Sequence, residues 1–219
     1  MSFNILIASK HFPIANGMDA LARSILGIKA KIERAQNFIE VIHKIGTKEF
    51  NMLISDLTME GMDSFTMIER ALLLSPDLRI LFISLNQSYI FAPRFMEAGA
   101  YGFIRTTEGE KEFKRAISQI YLGKRFVPQC LLDSSMGNND KKNIQNPFNL
   151  LSKQEFSVLL LLLKGIGIKE IASMTDLKIS TASTYRVRIY NKLDVNNLIE
   201  LFNLARHYNI TTINMDVDF

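Results

Sequence analysis

The sequence predicts an α/β domain, a doubly wound (βα)5 sandwich, followed by a small all-α domain of four helices. Two observations predict this fold class. In residues 1–123, short apolar runs alternate five times with amphipathic segments, which is typical of strands buried on both faces of a parallel sheet. From residue 150 onward the hydrophobic periodicity is helical only. The 219 residues suffice for two domains that each bury a core.

Five short apolar segments predict the strands of the first domain. Each is five or six residues long, the usual length of a buried strand. Gly99 and Gly123 follow two of the amphipathic segments, at the place where a glycine commonly ends a helix. The predicted strands are residues 3–8, 28–32, 50–55, 79–84 and 101–105, and the predicted helices lie near 14–26, 37–46, 64–74, 88–98 and 109–122.

The second domain is predicted to span residues 150–210, ahead of a tail at 211–219. Ser152 with Glu155 three residues later is a capping-box pattern, and it opens a helix that runs through residue 163. The other three helices are predicted at about 168–174, 180–193 and 196–208.

A linker is predicted between the domains, at residues 124–149. Residues 134–143 are polar and lack hydrophobic periodicity, as expected of a chain that packs no core of its own. The segment 126–132 is more apolar and fits either a short helix or a strap against the first domain.

Composition indicates a cytoplasmic protein. The single cysteine, Cys130, excludes an intrachain disulfide and suits a reducing compartment. The N-terminus lacks the pattern of a signal peptide. The most apolar run, 158–163, falls far short of the roughly 20 residues that a membrane span needs. The net charge is +4, and residues 148–210 hold eight basic against five acidic residues, which permits a polyanionic partner there.

The predicted helix 180–193 has the two faces that a DNA-reading helix needs, one for docking and one for the major groove. Its apolar stripe is Ala182, Tyr185, Ile189 and Leu193, and its opposite face is Ser183, Thr184, Val187 and Arg188. Four more residues lie where they could hold phosphates: Lys169, Thr181, Arg186 and Lys192. The alternative is a four-helix interaction module whose basic residues form a solvated face.

The residues of this domain resemble the LuxR-type helix-turn-helix. The similarity rests on residues 151–155, Gly165, residues 169–172, Thr181, Lys192, Leu193 and Val195, and it covers about 60 residues. It implies double-stranded DNA as the partner, with Ser183, Thr184 and Val187 reading bases and Lys169, Arg188 and Lys192 contacting the backbone. Asp176 departs from the usual turn glycine. Lys178 and Ile179 replace the usual capping pair, which leaves the cap to Ser180.

The (βα)5 pattern ahead of this motif resembles the receiver domain of NarL/FixJ-type response regulators, over residues 3–122. The resemblance implies that Asp56 is equivalent to the phospho-accepting aspartate and that Ser84 is the hydroxyl that senses the phosphoryl group. Residues 99–103 are similar to the entry to the fifth strand, which includes Phe103.

Three residues depart from the receiver pattern. The family has an acidic pair after the first strand, where this sequence has Ser9 and Lys10, and a lysine after the fifth strand, where it has Thr106. Phosphorylation needs Mg²⁺ held by several carboxylates. We therefore expect no metal, no cofactor and no useful phosphorylation of Asp56. The ammonium of Lys10 could instead pair with Asp56, or extend into solvent with Asp56 as a leftover carboxylate.

No enzymatic site is predicted. Phosphatases that use an aspartyl phosphate have a second acid two residues after the nucleophile, and here that position is Thr58. The sequence has no glycine-rich phosphate loop and no Ser/His/Asp arrangement. Its three histidines, His11, His43 and His207, are scattered and expected to be structural or solvated.

The last predicted helix suggests a dimer surface. Leu198, Leu201, Phe202 and Ala205 form an apolar stripe there. In the family that the motif resembles, this helix pairs two DNA-binding modules across a two-fold axis. Packing within the domain is the alternative for the same side chains.

Together these patterns predict an atypical transcription regulator that binds promoter DNA as a homodimer, without aspartyl phosphorylation and without a membrane. One alternative is a conventional regulator activated by phosphorylation. Another is an interaction protein that forms a heterodimer with a related regulator, and contact with the transcription machinery is a further option.

Overall fold

The computed structural model describes residues 2–27, 30–57, 59–84, 92–128, 147–208 and 210. The chain forms two compact units, Met1–Pro128 and Gln129–Phe219. The polar segment 134–143, Cys130 and the tail 211–219 lie outside the described residues. No helix in the described part of the chain combines the length and the apolar character that a membrane span requires.

The first unit is built on a five-stranded parallel sheet, which confirms the predicted fold class. The strand order is β2-β1-β3-β4-β5, so the chain winds in both directions from β1. The strands are β1 Phe3–Ala8, β2 Ala30–Ala35, β3 Met52–Asp56, β4 Arg79–Ser84 and β5 Gly102–Arg105.

The observed strand β2 lies closer to the C-terminus than the predicted one. We expected it at 28–32, where the sequence is most apolar, but the strand is Ala30–Ala35 and pairs in register with β1 along its whole length. As an edge strand, β2 exposes part of its surface and therefore carries Lys31, Glu33 and Arg34. A search for apolar runs does not find such a strand.

In the described part of the first unit, five helices cover the two faces of the sheet. Asn37 and Asp63 cap two of them, each through a side-chain oxygen that accepts backbone N–H groups. The helices are α1 Phe12–Leu26, α2 Phe38–Thr47, α3 Ser64–Leu74, α4 Ala92–Glu97 and α5 Glu110–Tyr121. The predicted fourth helix began at 88, and residues 85–91 lie outside the described residues.

Each face of the sheet has its own core. On one face, α1 and α5 pack over buried residues such as Ile5, Ile54 and Ile104. An aromatic cluster joins β4 and β5 to α3 and α4: the rings of Phe65, Phe82 and Phe103 lie 4.6, 5.2 and 5.7 Å from that of Phe95. The cluster holds Phe103 inside the domain, with 2% of its surface exposed.

Residues 124–128 form a strap on the open edge of β5. The backbone N–H of Phe126 donates to Tyr101 O at 2.8 Å, and Phe126 forms a parallel bridge with Gly102. A side chain at position 102 would place its Cβ 3.2 Å from that of Phe126, so glycine permits the close approach. The described start of the segment 126–132 is therefore a strap, one of the two forms predicted.

The described part of the second unit contains a 3₁₀ turn and four helices. They are the turn Pro147–Leu150 and the helices α6 Lys153–Leu162, α7 Ile168–Met174, α8 Ile179–Leu193 and α9 Leu198–His207. The predicted capping box is present: Ser152 Oγ accepts from Glu155 N at 3.3 Å, and Glu155 Oε2 accepts from Ser152 N at 2.7 Å. We call Pro147–Leu150 the entry turn.

The turn between α7 and α8 contains Asp176 in the left-handed region, with φ 55°. Aspartate is one of the few residues besides glycine that adopt this conformation routinely, so the departure at this position leaves the turn intact. The predicted cap at Ser180 was wrong. Helix α8 begins at Ile179 after Lys178, and Ser180 lies in its first turn, where its carbonyl accepts from Thr184 Oγ1.

Candidate functional site

Asp56 and the polar residues around it lie where the strands of the first unit end. Asp56 ends β3, Ser84 ends β4 and Ser9 directly follows β1, and the carboxyl ends of parallel strands share one edge of the sheet. All three are buried, Asp56 with 1% of its surface exposed. Ser9 Oγ lies 3.4 Å from Asp56 Oδ2. The sequence-predicted pocket residues Ser9, Asp56 and Ser84 therefore come together.

The hydroxyl of Ser9 is shared between neighbours. It accepts from His11 N at 3.1 Å, and its single proton can go to Asp56 Oδ2 or to His11 O, each 3.4 Å away. Both distances are at the long end for an O–H donor, so the contact is weak. A neutral hydroxyl stands where a second carboxylate was expected from the family pattern.

Lys10 does not pair with Asp56. Its Nζ lies 3.1 Å from Glu60 Oε1, in an ion pair whose side chains are 37% and 78% exposed. Glu60 follows β3, and its carbonyl accepts from Phe38 N at 2.8 Å. The pair joins the segments that follow β1 and β3 at the surface, where such pairs contribute about 0–1 kcal/mol. Neither form considered for Lys10 included Glu60.

Thr106 directly follows β5 and donates its backbone N–H to Ser84 O at 2.9 Å. Its side chain carries no charge. The neighbouring cation, Arg105, donates through Nε to Glu108 Oε1 at 3.0 Å, so part of its guanidinium is engaged along its own loop. Phe103 lies below, buried in the aromatic cluster.

The side chains of this pocket do not fit Mg²⁺. Among the described residues, no group of three or more His, Cys, Asp or Glu side chains lies close enough to hold a metal ion. Mg²⁺ gives up its water reluctantly and binds through carboxylates. The described contact of Asp56 with Ser9 is with a neutral hydroxyl, and Lys10, next to Ser9, is paired with Glu60.

Helix α8 presents a polar face to solvent. Ala182, Ile189 and Leu193 are buried, as predicted for the docking stripe, whereas Tyr185 is only half-buried and lies at its margin. On the opposite side, Thr184, Val187 and Arg188 are exposed and Ser183 is half-buried. Ser180 and Asn191 are exposed on the same side, and the sequence argument missed them although they lie one helical turn from Thr184 and Val187.

Three of the predicted phosphate-binding cations have no counter-ion among the residues that the structure describes. Lys169 on α7 and Arg188 on α8 are exposed, and Arg186 is half-buried. None of them forms an ion pair with a residue that the structure describes. Thr181, the fourth predicted contact beside them, is half-buried in the first turn of α8. This surface is able to bind a polyanion.

Lys192 differs from these cations because it is engaged within the domain. Its Nζ donates to Glu155 Oε2 at 2.7 Å and to Leu150 O at 3.1 Å. Burial raises the pKa of the Glu155 carboxyl, but hydrogen bonds from Lys192 and Ser152 outweigh it and hold that pKa below its usual value. Glu155 was predicted only as a capping residue, and nothing in its spacing from Lys192 indicates the pair.

The predicted dimer stripe of α9 is divided in the structure. Leu201 and Ala205 are fully buried in the core of their own unit, as the alternative of internal packing predicted for part of the stripe. Leu198 and Phe202 are half-buried, and the neighbouring Ile199 is 72% exposed. The apolar surface that α9 offers is therefore rotated toward Ile199.

Comparison with known proteins gives a consistent result over both units. The response regulator receiver domain matches residues 5–118, and bacterial regulatory proteins of the luxR family match residues 149–205. The response regulator UvrY of Escherichia coli K12 is 24% identical over 206 residues, 93% of this chain and 94% of UvrY. The virulence transcription regulator BvgA of Bordetella pertussis is 30% identical over 160 residues, 73% of this chain and 77% of BvgA.

Among solved structures, RcsB from Salmonella enterica serovar Typhimurium bound to the promoter P1flhDC superimposes with a TM-score of 0.75. The superposition covers 93% of this chain and 98% of RcsB, at 22% sequence identity. At this level of identity the likeness shows a shared fold.

Proposed function

Because this chain belongs to the LuxR-family response regulators, which are DNA-binding transcription regulators and not enzymes, we propose that it regulates transcription without phosphorylation of Asp56. The observation that carries the proposal is the contact between Asp56 Oδ2 and the hydroxyl of Ser9, at 3.4 Å. Members of the family hold an acidic pair in that place.

No cluster of metal-binding side chains surrounds Asp56 in the described part of the chain. Phosphoryl transfer to a carboxylate requires a cation that neutralises the transferred oxygens and holds them in line. Asp56 supplies one carboxylate, and Ser9 supplies a neutral oxygen. Lys10, the next residue along the chain, brings no carboxylate, and its ammonium is paired with Glu60 Oε1 at 3.1 Å.

The residue that follows β5, Thr106, is neutral. In a receiver, a lysine at this position pairs with the phosphoryl group, and Thr106 offers no charge for that purpose. Arg105 is adjacent, but its Nε is bound to Glu108 Oε1 at 3.0 Å. A phosphoryl group on Asp56 would therefore be stabilised neither by a metal nor by a lysine.

The proposal is tested with acetyl phosphate and Mg²⁺, and the product is analysed by intact mass spectrometry. We expect no phosphoryl group on the wild-type chain and the same DNA affinity for wild type and Asp56→Ala. The matched variant is Ser9→Asp with Lys10→Asp, which restores the family's acidic pair and should bind Mg²⁺ in calorimetry. Stoichiometric phosphorylation of wild-type Asp56, followed by tighter DNA binding, would establish the conventional regulator instead.

DNA contact is proposed for the exposed face of α8. We assign base contacts to Ser183, Thr184 and Val187, with backbone contacts from Lys169, Thr181, Arg186 and Arg188. Thr184, Val187, Lys169 and Arg188 are exposed, and the three cations of the set form no ion pair with a described residue, which supports the assignment. Affinity for a promoter duplex should fall steeply as salt rises, because each neutralised phosphate releases a counterion. If no promoter fragment is shifted even at low salt, the chain is an interaction protein.

We also propose that the chain binds DNA as a homodimer through the exposed surface of α9. Ile199 and the half-buried Leu198 and Phe202 support this surface, since Leu201 and Ala205 are committed to the core. Sedimentation of wild type and Ile199→Asp should show a dimer and a monomer, respectively. If both sediment as the same species, the surface is wrongly assigned.

A further inference from the structure

The carboxylate of Glu155 is the most completely buried charge of the second unit that the structure describes. Only 3% of the residue is exposed. A carboxylate taken out of water must be compensated by hydrogen bonds and by an opposite charge. Glu155 Oε2 accepts from Ser152 N and from Lys192 Nζ, both at 2.7 Å. Lys192 is the cationic partner in this arrangement.

The same ammonium connects three parts of the unit. Lys192 lies in the last turn of α8, Glu155 in the first turn of α6, and the carbonyl of Leu150, 3.1 Å from Lys192 Nζ, ends the entry turn. The separations along the chain are 37 and 42 residues, so the contacts are tertiary. They fix where the C-terminal end of α8 lies relative to the rest of its unit.

We propose that Lys192 is a positioning residue for DNA recognition, which holds α8 in place through Glu155 instead of neutralising a DNA phosphate. The inference rests on the proposed use of the α8 face for DNA. Glu155 and Leu150 take two of the three donors of the ammonium, and turning it away toward a phosphate would leave a buried carboxylate without its counter-ion, which is strongly unfavourable. Arg188, one turn earlier, has no such counter-ion among the described residues and keeps the role of a phosphate contact.

The two roles predict opposite behaviour of Glu155→Gln. If Lys192 positions α8, removing the carboxylate charge weakens DNA binding, although Glu155 is too deeply buried to touch DNA. If Lys192 contacts a phosphate, the same change frees its ammonium and leaves binding equal or tighter. The DNA affinity of Glu155→Gln therefore distinguishes the two roles of Lys192, although Glu155 itself does not contact DNA.

The experiment uses the full chain and a duplex that the wild-type chain enriches from a random-sequence pool. Dissociation constants are measured at several salt concentrations, well below the melting temperature of each variant. We expect Lys192→Met and Glu155→Gln each to weaken binding about tenfold, the cost of one charged hydrogen bond. The slope of log affinity against log salt should equal that of wild type. Lys192→Arg should retain most of the affinity.

Arg188→Met is the matched control, because it removes one exposed cation from the same helix. Its salt slope should fall by about 0.9, the value for one phosphate contact. The inference is overturned if Lys192→Met lowers the slope in the same way while Glu155→Gln binds normally. It is also overturned if both variants melt earlier but bind, when folded, as tightly as wild type, since Lys192 would then be merely structural.

Two further results keep the test decisive. If Lys192→Met does not fold, the milder variants Glu155→Gln and Lys192→Arg are compared with wild type by the same two quantities, the DNA affinity and its salt slope. A wild-type chain that enriches no duplex from the pool overturns the proposed DNA contact, and with it this inference. That outcome is distinct from a wild-type chain that binds while its variants show the wrong slope.

Discussion

The pocket around Asp56 and the exposed face of α8 have diverged from their family to different degrees. Both lie within the regions that match the family, one at the carboxyl end of the parallel sheet and the other on α8. The pocket keeps Asp56 and Ser84 but has Ser9 and Lys10 in place of an acidic pair and Thr106 in place of a lysine. The α8 face keeps its cations.

The difference teaches where each function is sensitive to substitution. A phosphoryl site depends on a few charges that act together, so changes at the three positions Ser9, Lys10 and Thr106 are expected to disable it. A DNA surface gathers its affinity from many contacts, each of modest value. A chain can therefore lose the first function and keep the second, and the following expectations probe this contrast from the largest effect to the smallest.

The largest effect is expected from Val187→Asp on α8. The side chain is 53% exposed, so the fold should be unaffected, while a negative charge facing phosphates costs several kcal/mol, or roughly a hundredfold in affinity. Fluorescence anisotropy with a selected duplex measures the change. Leu73→Asp, which introduces the same charge at an exposed leucine of the other unit, should bind as wild type. If both variants lose the same affinity, the assignment of the α8 face to the DNA interface is wrong.

A smaller effect is expected on the acid stability of the second unit. The pKa of Glu155 is lowered in the folded state, so its contribution is present above the unfolded value of 4.5 and is lost as pH falls through the folded pKa. The free energies of unfolding of wild type and Glu155→Gln, measured by thermal unfolding, should differ near neutral pH by about 1.5–3 kcal/mol, the value of a hydrogen bond to a charged group. The two curves should converge in acid. A constant difference at all pH values would contradict this account.

The smallest effect is expected at the mouth of the pocket. Lys10→Met and Glu60→Gln each break an exposed ion pair, so the free energy of unfolding should change by less than about 1 kcal/mol. DNA affinity should not change, because the proposed regulation does not pass through Asp56. Chemical denaturation and anisotropy measure the two quantities. A large change in DNA affinity with either variant would contradict the proposal, because the pocket would then influence DNA binding.

The fold was predictable because it depends on patterns that are local in the sequence. The apolar runs of β1, β3, β4 and β5 and the capping box of α6 were each found close to their observed positions. The edge strand β2 was displaced because its exposed residues interrupt the apolar pattern. The cap of α8 was misassigned because the helix begins at Ile179, one residue before the expected start.

The site was predictable only as a set of positions. The replacement of the acidic pair and of the lysine is visible in the sequence alone. The partners of Lys10 and Lys192 were not predictable, because Glu60 and Glu155 lie 50 and 37 residues away and only the folded chain brings them together. The orientation of α9 was also hidden, since a helix with apolar residues on several sides does not indicate which side its own core takes.

The strap at residues 124–128 has a consequence for how the first unit behaves when it is isolated. Without it, β5 would be an uncovered edge strand, able to pair with the edge of another molecule and to start aggregation. The opposite edge, β2, protects itself with Lys31, Glu33 and Arg34, whereas β5 begins with Gly102 and Phe103 and relies on Phe126 instead. A fragment that ends at residue 123 should therefore aggregate at concentrations where one that ends at residue 128 remains monomeric.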